Sequence, residues 1–487
     1  MNYFNNKIHI NTGDTMLDRL KSDTNSVSDI IYKEITVANK KIILIYSEVI
    51  TSSDTINRFI LSNISFIVEE KIADTNNLCS YLYNNLPGAN RSYIKNYDDL
   101  VNKIFNGFTI IYINDSEVFG IETRISLDRG INNSSNEIAI RGPKDSFCEN
   151  YNKNFGLIRY RIKNRNLLVK DLLIGKQTNT KVGIIYMNNI VSKELVNSVY
   201  NKLSSIDIDG ILDSSYLKKY LTNKNSIFPT IMSTERPDVV AQALLEGKLV
   251  ILVDNSPYAL ILPCFFIDFF HTPDDYYDKA INISFIRIIR LLAFLIAIFI
   301  PAYYIAITTH NHDSVTTDLL LNFLAQRKTV PYPALVEALI MTISFEILRE
   351  SDMHSSTGGS AISILGGLVL GDAAVSAGII SPIMIIVVAI SAIAGLSFTS
   401  IELTNAIRFY RIFLMILAAS LGIYGIFLGG LLLITKLASI NSFNIPYLAP
   451  FSPLIVSEQK DAIIKLNTKR RIKTRNPLLS KNKIRGR

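Results

Sequence analysis

The residues best placed to do chemistry lie in the apolar C-terminal half. Asp372 sits in a helix-forming run of small residues, Gly366 to Gly378 (GGLVLGDAAVSAG). A carboxylate facing lipid would cost on the order of several kcal/mol, so Asp372 is expected to face protein, a partner helix or water. Gly366 and Gly371 let backbones approach closely, which suits helix association and equally suits the wall of a narrow pore. A pathway role, a hydrogen-bonded packing role and a place at the membrane edge all remain open for Asp372. Glu337 and Glu346 lie in Pro333 to Leu348 (PALVEALIMTISFEIL). Nine positions at about 100° each put them on opposite faces of one helix, so they cannot form a paired-carboxylate site. Glu346 and Arg349, at i and i+3, are expected to pair locally.

Other chemistries find little support. His310 and His312 (HNH) form a weak metal signal, better read as a solvated loop. Cys79, Cys148 and Cys264 show no paired spacing, which argues against a disulfide framework or a zinc knuckle. No G-x-G-x-x-G follows a strand and no Walker A run is present, so nucleotide binding is unsupported. No Ser/His/Asp or Cys/His constellation stands out, and no catalytic, cofactor-binding or metal residue is assigned. The chain reads as a non-enzyme.

The elements that must position Asp372 and the two glutamates are membrane helices. Apolar stretches from about Leu291 to Leu437 follow some 280 residues of soluble composition. Spans are expected near 291–309, 360–379, 381–400 and 411–435, with 333–348 as a re-entrant or interfacial helix. The run Ile379 to Ser400 has no charged side chain and at about 1.5 Å per residue is long enough to cross roughly 30 Å of hydrocarbon. Nine basic residues, Lys469, Arg470, Arg471, Lys473, Arg475, Lys481, Lys483, Arg485 and Arg487, close the chain, whose net charge is +8. Beside a membrane domain they point to anionic cytoplasmic lipid in preference to nucleic acid. The polar start, Met1 to Ile30, shows no signal-peptide h-region, so head and tail are expected on the cytoplasmic side with an even number of crossings. With four spans, Arg408 and Arg411 fall on the outer side.

The head carries an internal repeat with an offset of 140 residues. Lys41 to Ser52 (KIILIYSEVITS) matches Lys181 to Ser192 (KVGIIYMNNIVS), and Asp98 to Ser116 falls on Asp238 to Ser256 with Gly107 on Gly247. Each copy reads as strand, helix, variable middle, helix closed by glycine, and strand, which favours a mainly parallel sheet covered by helices. The resulting fold class is a duplicated α/β cytoplasmic head followed by an all-α polytopic membrane domain. Its expected parts are a disordered tail 1–36, subdomains 37–140 and 141–280, a helical membrane domain 281–455 and a basic tail 456–487. In Ser233 to Lys248 (STERPDVVAQALLEGK), Thr234 or Asp238 is expected to cap a scaffold helix that Gly247 ends, and its charged start, Glu235 and Arg236, could also contact a neighbouring subunit.

Those last residues, with Leu252 to Pro263 (LVDNSPYALILP), resemble the A subunits of spore nutrient germinant receptors, the GerA family. Arg141, Gly142 and Pro143 in RGPKDSF are similar to the family's motif between the head halves, as Glu235, Arg236, Pro237, Asp238 and Gly247 are to its second motif and Asp274 to Tyr277 (DDYY) to its motif before the first span. Ile286 to Ala306, Val330 to Glu350, Gly366 to Pro382 and Ser442 to Pro450 extend the likeness over roughly Ile30 to Asp461; Ser351 to Gly359 (SDMHSSTGG) departs from it. The resemblance implies a non-enzymatic receptor subunit of the endospore inner membrane. Its partners would be a transporter-like B subunit, where the small-molecule nutrient is mainly bound, and a lipoprotein C subunit. It further implies A subunits oligomerised around a membrane conduit, with no cofactor and no nucleic acid. A small-molecule transporter with a regulatory head, and a scaffold for the B subunit, are the competing readings.

Overall fold

A computed structural model describes residues 15–25, 27–37, 40–65, 78–88, 90–125, 137, 142–222, 226–354, 359–398, 400–456, 459–465 and 476–480. The chain forms two compact units: one holds residues up to 221, 233–263 and the C-terminal end from 475, and the other holds 222–232 and 264–474.

The first unit is built on two five-stranded sheets. Strands β1 (Ile30–Val37), β2 (Lys40–Ser47), β3 (Arg91–Tyr93), β4 (Phe108–Asn114) and β5 (Glu117–Glu122) lie in the order β1-β2-β4-β5-β3. Strands β6 (Leu167–Ile174), β7 (Thr180–Met187), β8 (Met232–Thr234), β9 (Leu249–Val253) and β10 (Ala259–Leu262) repeat it as β6-β7-β9-β10-β8. Around them lie helices α1 (Met16–Thr24), α2 (Leu78–Asn85), α3 (Tyr97–Ile104), α4 (Tyr151–Arg161), α5 (Lys193–Ser204), α6 (Ser214–Leu221) and α7 (Pro237–Glu246).

The pairings β1–β2, β2–β4, β4–β5, β3–β5, β6–β7, β7–β9 and β9–β10 are all antiparallel, which corrects the expected parallel sheet. The reason is connection length. β4 and β5 are joined by Asp115 and Ser116 alone, and a two-residue link can only reverse the chain, whereas a parallel crossover needs about a dozen residues. Residues 15–25 and 27–36, expected to be disordered, form α1 and the outer strand β1: IIYKEITV is rich in β-branched and aromatic residues, and Thr15 caps α1 in a reciprocal box with Asp18. Side-chain alternation in β2 feeds two cores. Ile45 joins Leu20, Leu100, Ile104 and Ile110 on one face, while Ile42 and Leu44 join Leu82, Phe119 and Ile121 on the other. Each such fully buried aliphatic contributes about 1.5–3 kcal/mol.

The second unit is helical: α8 (Ala280–Thr309), α9 (Thr317–Arg327), α10 (Ala334–His354), α11 (Gly359–Ser376), α12 (Pro382–Gly395), α13 (Ile401–Leu421) and α14 (Ile423–Ser439). Among the described residues one helix, α8, is both long and apolar enough to cross a membrane by itself. At about 1.5 Å per residue its 30 residues extend some 45 Å. Three expectations are corrected here. Within the uncharged run 379–400 the helix α12 covers 14 residues, about 21 Å, starting at Pro382 and capped by Leu396. The stretch 411–435 is two helices, broken at Gly422 (φ +61°), where Asn311 Oδ1 accepts Ile423 N–H at 2.9 Å and His310 Nε2 donates to Ala419 O at 2.8 Å. His310 and Asn311 of the HNH run thus brace a helix break. The helix holding both glutamates runs 21 residues, well beyond the sixteen expected.

Candidate functional site

In the first unit the two family-like motifs meet. Gly247 (φ +94°) ends α7 as expected, and Pro237 opens it with Arg236 as the N-cap residue. The capping differs from expectation, since the N-cap residue is Arg236 and its side chain makes no cap hydrogen bond. Thr234 Oγ1 instead accepts Arg236 N–H at 3.1 Å and donates to Glu137 at 2.7 Å. Arg236, 1% exposed, grips Asp238 with Nε and Nη2 at 3.1 and 2.8 Å, and Nη2 also reaches Pro143 O at 3.2 Å. Glu235, also buried, accepts Phe147 N–H through its carbonyl at 2.7 Å. Burial raises the pKa of Glu137 against the pull of the Thr234 hydrogen bond. Glu235 and Arg236 therefore knot the stretch 143–147 to the start of α7. Gly142 is described beside Pro143, and Arg141 lies outside the described residues.

A second ionic knot in this unit was not legible in the sequence. Arg159 on α4 is fully buried and donates to Asp29 Oδ1 at 2.7 Å, to Asn164 O at 2.9 Å and to Leu167 O at 3.0 Å, with Phe105 and Phe155 against its guanidinium. Asp29 also accepts Ser47 Oγ–H at 2.7 Å, so one ion pair ties the entry of β1 to the helix before β6.

In the helical unit, the DDYY motif supplies an anchor at the foot of α8. Asp275, 3% exposed, takes Arg290 in a bidentate grip at 2.9–3.1 Å and Arg287 Nε at 3.1 Å, while Lys465 Nζ donates to the Asp275 carbonyl at 2.7 Å. Burial opposes the charge on Asp275, yet the hydrogen bonds and charges of Arg290 and Arg287 outweigh it and hold its pKa below the ordinary carboxylate value. Two arginines three residues apart, about a dozen residues after an acidic pair, were the signal that could have found this site. Lys465 N–H also reaches Ser284 Oγ at 2.9 Å, and His271 Nε2 donates to Ala462 O at 2.8 Å.

Glu337 and Glu346 go to separate partners. Glu337, fully buried, accepts both Ser381 N–H (3.0 Å) and Ser381 Oγ–H (2.9 Å), and lies 3.4 Å from Arg327 Nε. Its carboxylate therefore sits at the N-terminus of α12, where helix amides favour negative charge. Glu346 is 3.9 Å from Arg349 but closer to Arg408 (3.1 Å) and Arg411 (3.2 Å) of α13, so the expected local pair is the weakest of the three. Arg411 continues to Ser391 Oγ at 3.1 Å, and Ser391 donates to Ala297 O at 2.9 Å. Asp372 joins neither group. It is exposed on α11, as are Val369 and Leu370. A Cβ on Gly366 would meet Leu348 of α10 at 3.3 Å, and one on Gly371 would meet Ile385 of α12 at 3.9 Å, so both glycines serve helix contacts.

The sequence profile described as "Bacillus/Clostridium GerA spore germination protein" matches residues 18–477. Spore germination protein KA of Bacillus subtilis (strain 168) is 36% identical over 452 residues, covering 92% of this chain and 83% of that protein. Spore germination protein GerQA of Bacillus cereus is 34% identical over 463 residues, covering 94% of this chain and 91% of that protein. The crystal structure of the N-terminal domain of the A subunit of the Bacillus megaterium spore germinant receptor GerK3 aligns at 26% identity and a TM-score of 0.40, covering 51% of this chain and 94% of that one. With the match running through both motif clusters of the head and across the helical unit, the chain belongs to the GerA spore germination protein family.

Proposed function

We propose that this chain is the A subunit of a spore nutrient germinant receptor, a non-enzymatic, multi-pass protein of the endospore inner membrane with head and tail on the core side. It works with a transporter-like B subunit, which binds the small-molecule nutrient, and a lipoprotein C subunit. Copies of the chain associate around an axis lined by α11 to form a cation path that opens on nutrient binding.

The observation that carries the conduit is Asp372. Its carboxylate is exposed on an apolar helix beside exposed Val369 and Leu370, and in a bilayer that position demands a partner helix or water. A ring of such carboxylates favours cations over anions. Leu292, Leu295, Ile386, Ile393, Phe409 and Phe427 expose an apolar exterior suited to lipid. Residues 462–465 lie against His271, Asp275 and Ser284, so the helical unit begins and ends on the same end, which fits an even number of crossings.

The test is ion flux through liposomes carrying all three subunits. Nutrient-dependent cation leakage that loses rate or selectivity with Asp372→Asn supports the conduit. Leakage unchanged by that substitution removes Asp372 from it, saturable nutrient uptake by this chain alone makes it a transporter, and assembly defects without flux changes make it a scaffold.

A further inference from the structure

The two lobes of the head solve one local problem differently. In the first, the chain leaving β5 continues as Thr123 to Ile125 and fills a slot between the turn after β2 and the glycine after α3. Thr123 N–H donates to Gly107 O at 3.0 Å, Ser52 N–H to Thr123 O at 2.8 Å and Ile125 N–H to Ile50 O at 3.0 Å, and Arg124 bridges Thr51 antiparallel. Gly107 has φ +83°, and a Cβ on it would stand 3.2 Å from the Arg124 Cα.

The slot recurs in the second lobe, where Ile190, Val191 and Gly247 take the places of Ile50, Thr51 and Gly107 under the 140-residue offset. The residues after β10 do not fill it. Pro263, at the place of Thr123, has no N–H to give, and Cys264 N–H goes to Thr230 O at 3.1 Å. The slot holds Asn476 to Ser480 from the far end of the chain. Ser480 bridges Val191 antiparallel, Leu479 is 1% exposed, and a Cβ on Gly247 would lie 3.4 Å from Leu479 O and from Ser480 Cβ. The segment braces itself, with Leu479 N–H and Ser480 N–H donating to Asn476 O at 3.2 and 3.1 Å and Leu478 N–H to Asn476 Oδ1 at 2.9 Å.

We infer that this slot is a docking site for the chain's own C-terminal segment, which supplies in cis the edge piece that the second lobe lacks. The second lobe is complete only when residues 476–480 are seated. The chain therefore closes on its own head, with basic residues in sequence on both sides of the docked turn, Arg475 before it and Lys481 after it. The inference rests on the head's geometry and stands apart from the conduit.

The test uses the full chain in detergent, with Val191→Cys and Ser480→Cys combined. Antiparallel partners lie about 4.5–5.5 Å apart at Cα, inside the roughly 4.4–6.8 Å range that a disulfide accepts. An intrachain disulfide should form about tenfold or more faster than in the control pair Leu173→Cys with Ser480→Cys, whose first position is an exposed site on β6. Equal rates, or cross-linking only between chains, would overturn the inference. Hydrogen exchange on the unmodified chain is the second readout: the Leu479 and Ser480 amides should exchange about tenfold or more slowly than in a free peptide of the same sequence, and slow exchange should vanish with Leu479→Asp. Exchange at the free-peptide rate in the unmodified chain also overturns it.

Discussion

Replacing Arg159 by methionine keeps much of the side-chain volume and deletes the charge that Asp29 faces. Three donated hydrogen bonds go with it, to Asp29, Asn164 and Leu167, all from a side chain with no exposed surface. Breaking a buried ion pair from one side costs about 3–5 kcal/mol, chiefly because the remaining charge is stranded. Ser47 still donates to Asp29 at 2.7 Å, so the low end applies, about 3 kcal/mol. At about 1.4 kcal/mol per decade, amides of β1 and β2 that exchange through opening of this lobe should exchange roughly a hundredfold faster. Hydrogen exchange on the full chain in detergent reads this directly. Asp29→Asn measures the opposite truncation, and the double variant should recover about 1–3 kcal/mol of the summed loss, because the two residues share one interaction. A loss below about 0.5 kcal/mol for Arg159→Met, or strict additivity in the double variant, would show that Arg159 and Asp29 do not form a stabilising buried pair.

Two further outcomes follow from the titratable groups outside the membrane helices. The pKa of Asp275 is held low in the folded chain, so its ion pairs contribute stability above the unfolded carboxylate value of about 3.9 and lose it as pH falls through the folded value; acid unfolding of the α8 foot should begin below about pH 4, and Asp275→Asn should flatten that dependence while lowering stability at pH 7 in a thermal melt. Burial, with Glu117 nearby, raises the Cys79 thiol to about 11, so alkylation at pH 8 should modify half-buried Cys148 well before Cys79, and equal labelling of the two in the native chain would contradict that burial.

The repeat was legible because it lies where side chains are most constrained. Tyr46 and Tyr186 sit in β2 and β7, and Gly107 and Gly247 both hold positive φ, so the offset of 140 survives in the residues that strand burial and helix endings dictate. The strand partners were less legible. β1 reads as part of a polar tail because exposed Lys33 and Glu34, on opposite faces of the strand, interrupt its apolar residues, and hairpin pairing leaves no mark comparable to a helical period. Helix lengths in the apolar half failed for a related reason: hydropathy reports what lipid or protein surrounds a residue, while Pro382 decides where α12 starts and Gly422 where α13 stops. The partners of Glu346 lie on a helix some sixty residues away, beyond what spacing reveals; only the i and i+3 placement of Arg408 and Arg411 hinted at a common target.

That target limits which helices can move. Ala297 O, Ser391, Arg411 and Glu346 form one polar relay through α8, α12, α13 and α10. Where water is scarce, separating any of these helices from the others leaves a guanidinium or carboxylate uncovered, so the four are expected to move together or not at all. The described contacts of α11 are of another kind. Gly366 against Leu348 and Gly371 against Ile385 are small-to-aliphatic contacts that lose only dispersion energy as the helices slide, at about 0.1–0.2 kcal/mol per atom pair. If nutrient binding rearranges this subunit, the physically inexpensive motion is a displacement of α11 against a fixed α8–α10–α12–α13 core. That motion carries Asp372 with it, which is the change the proposed cation path requires.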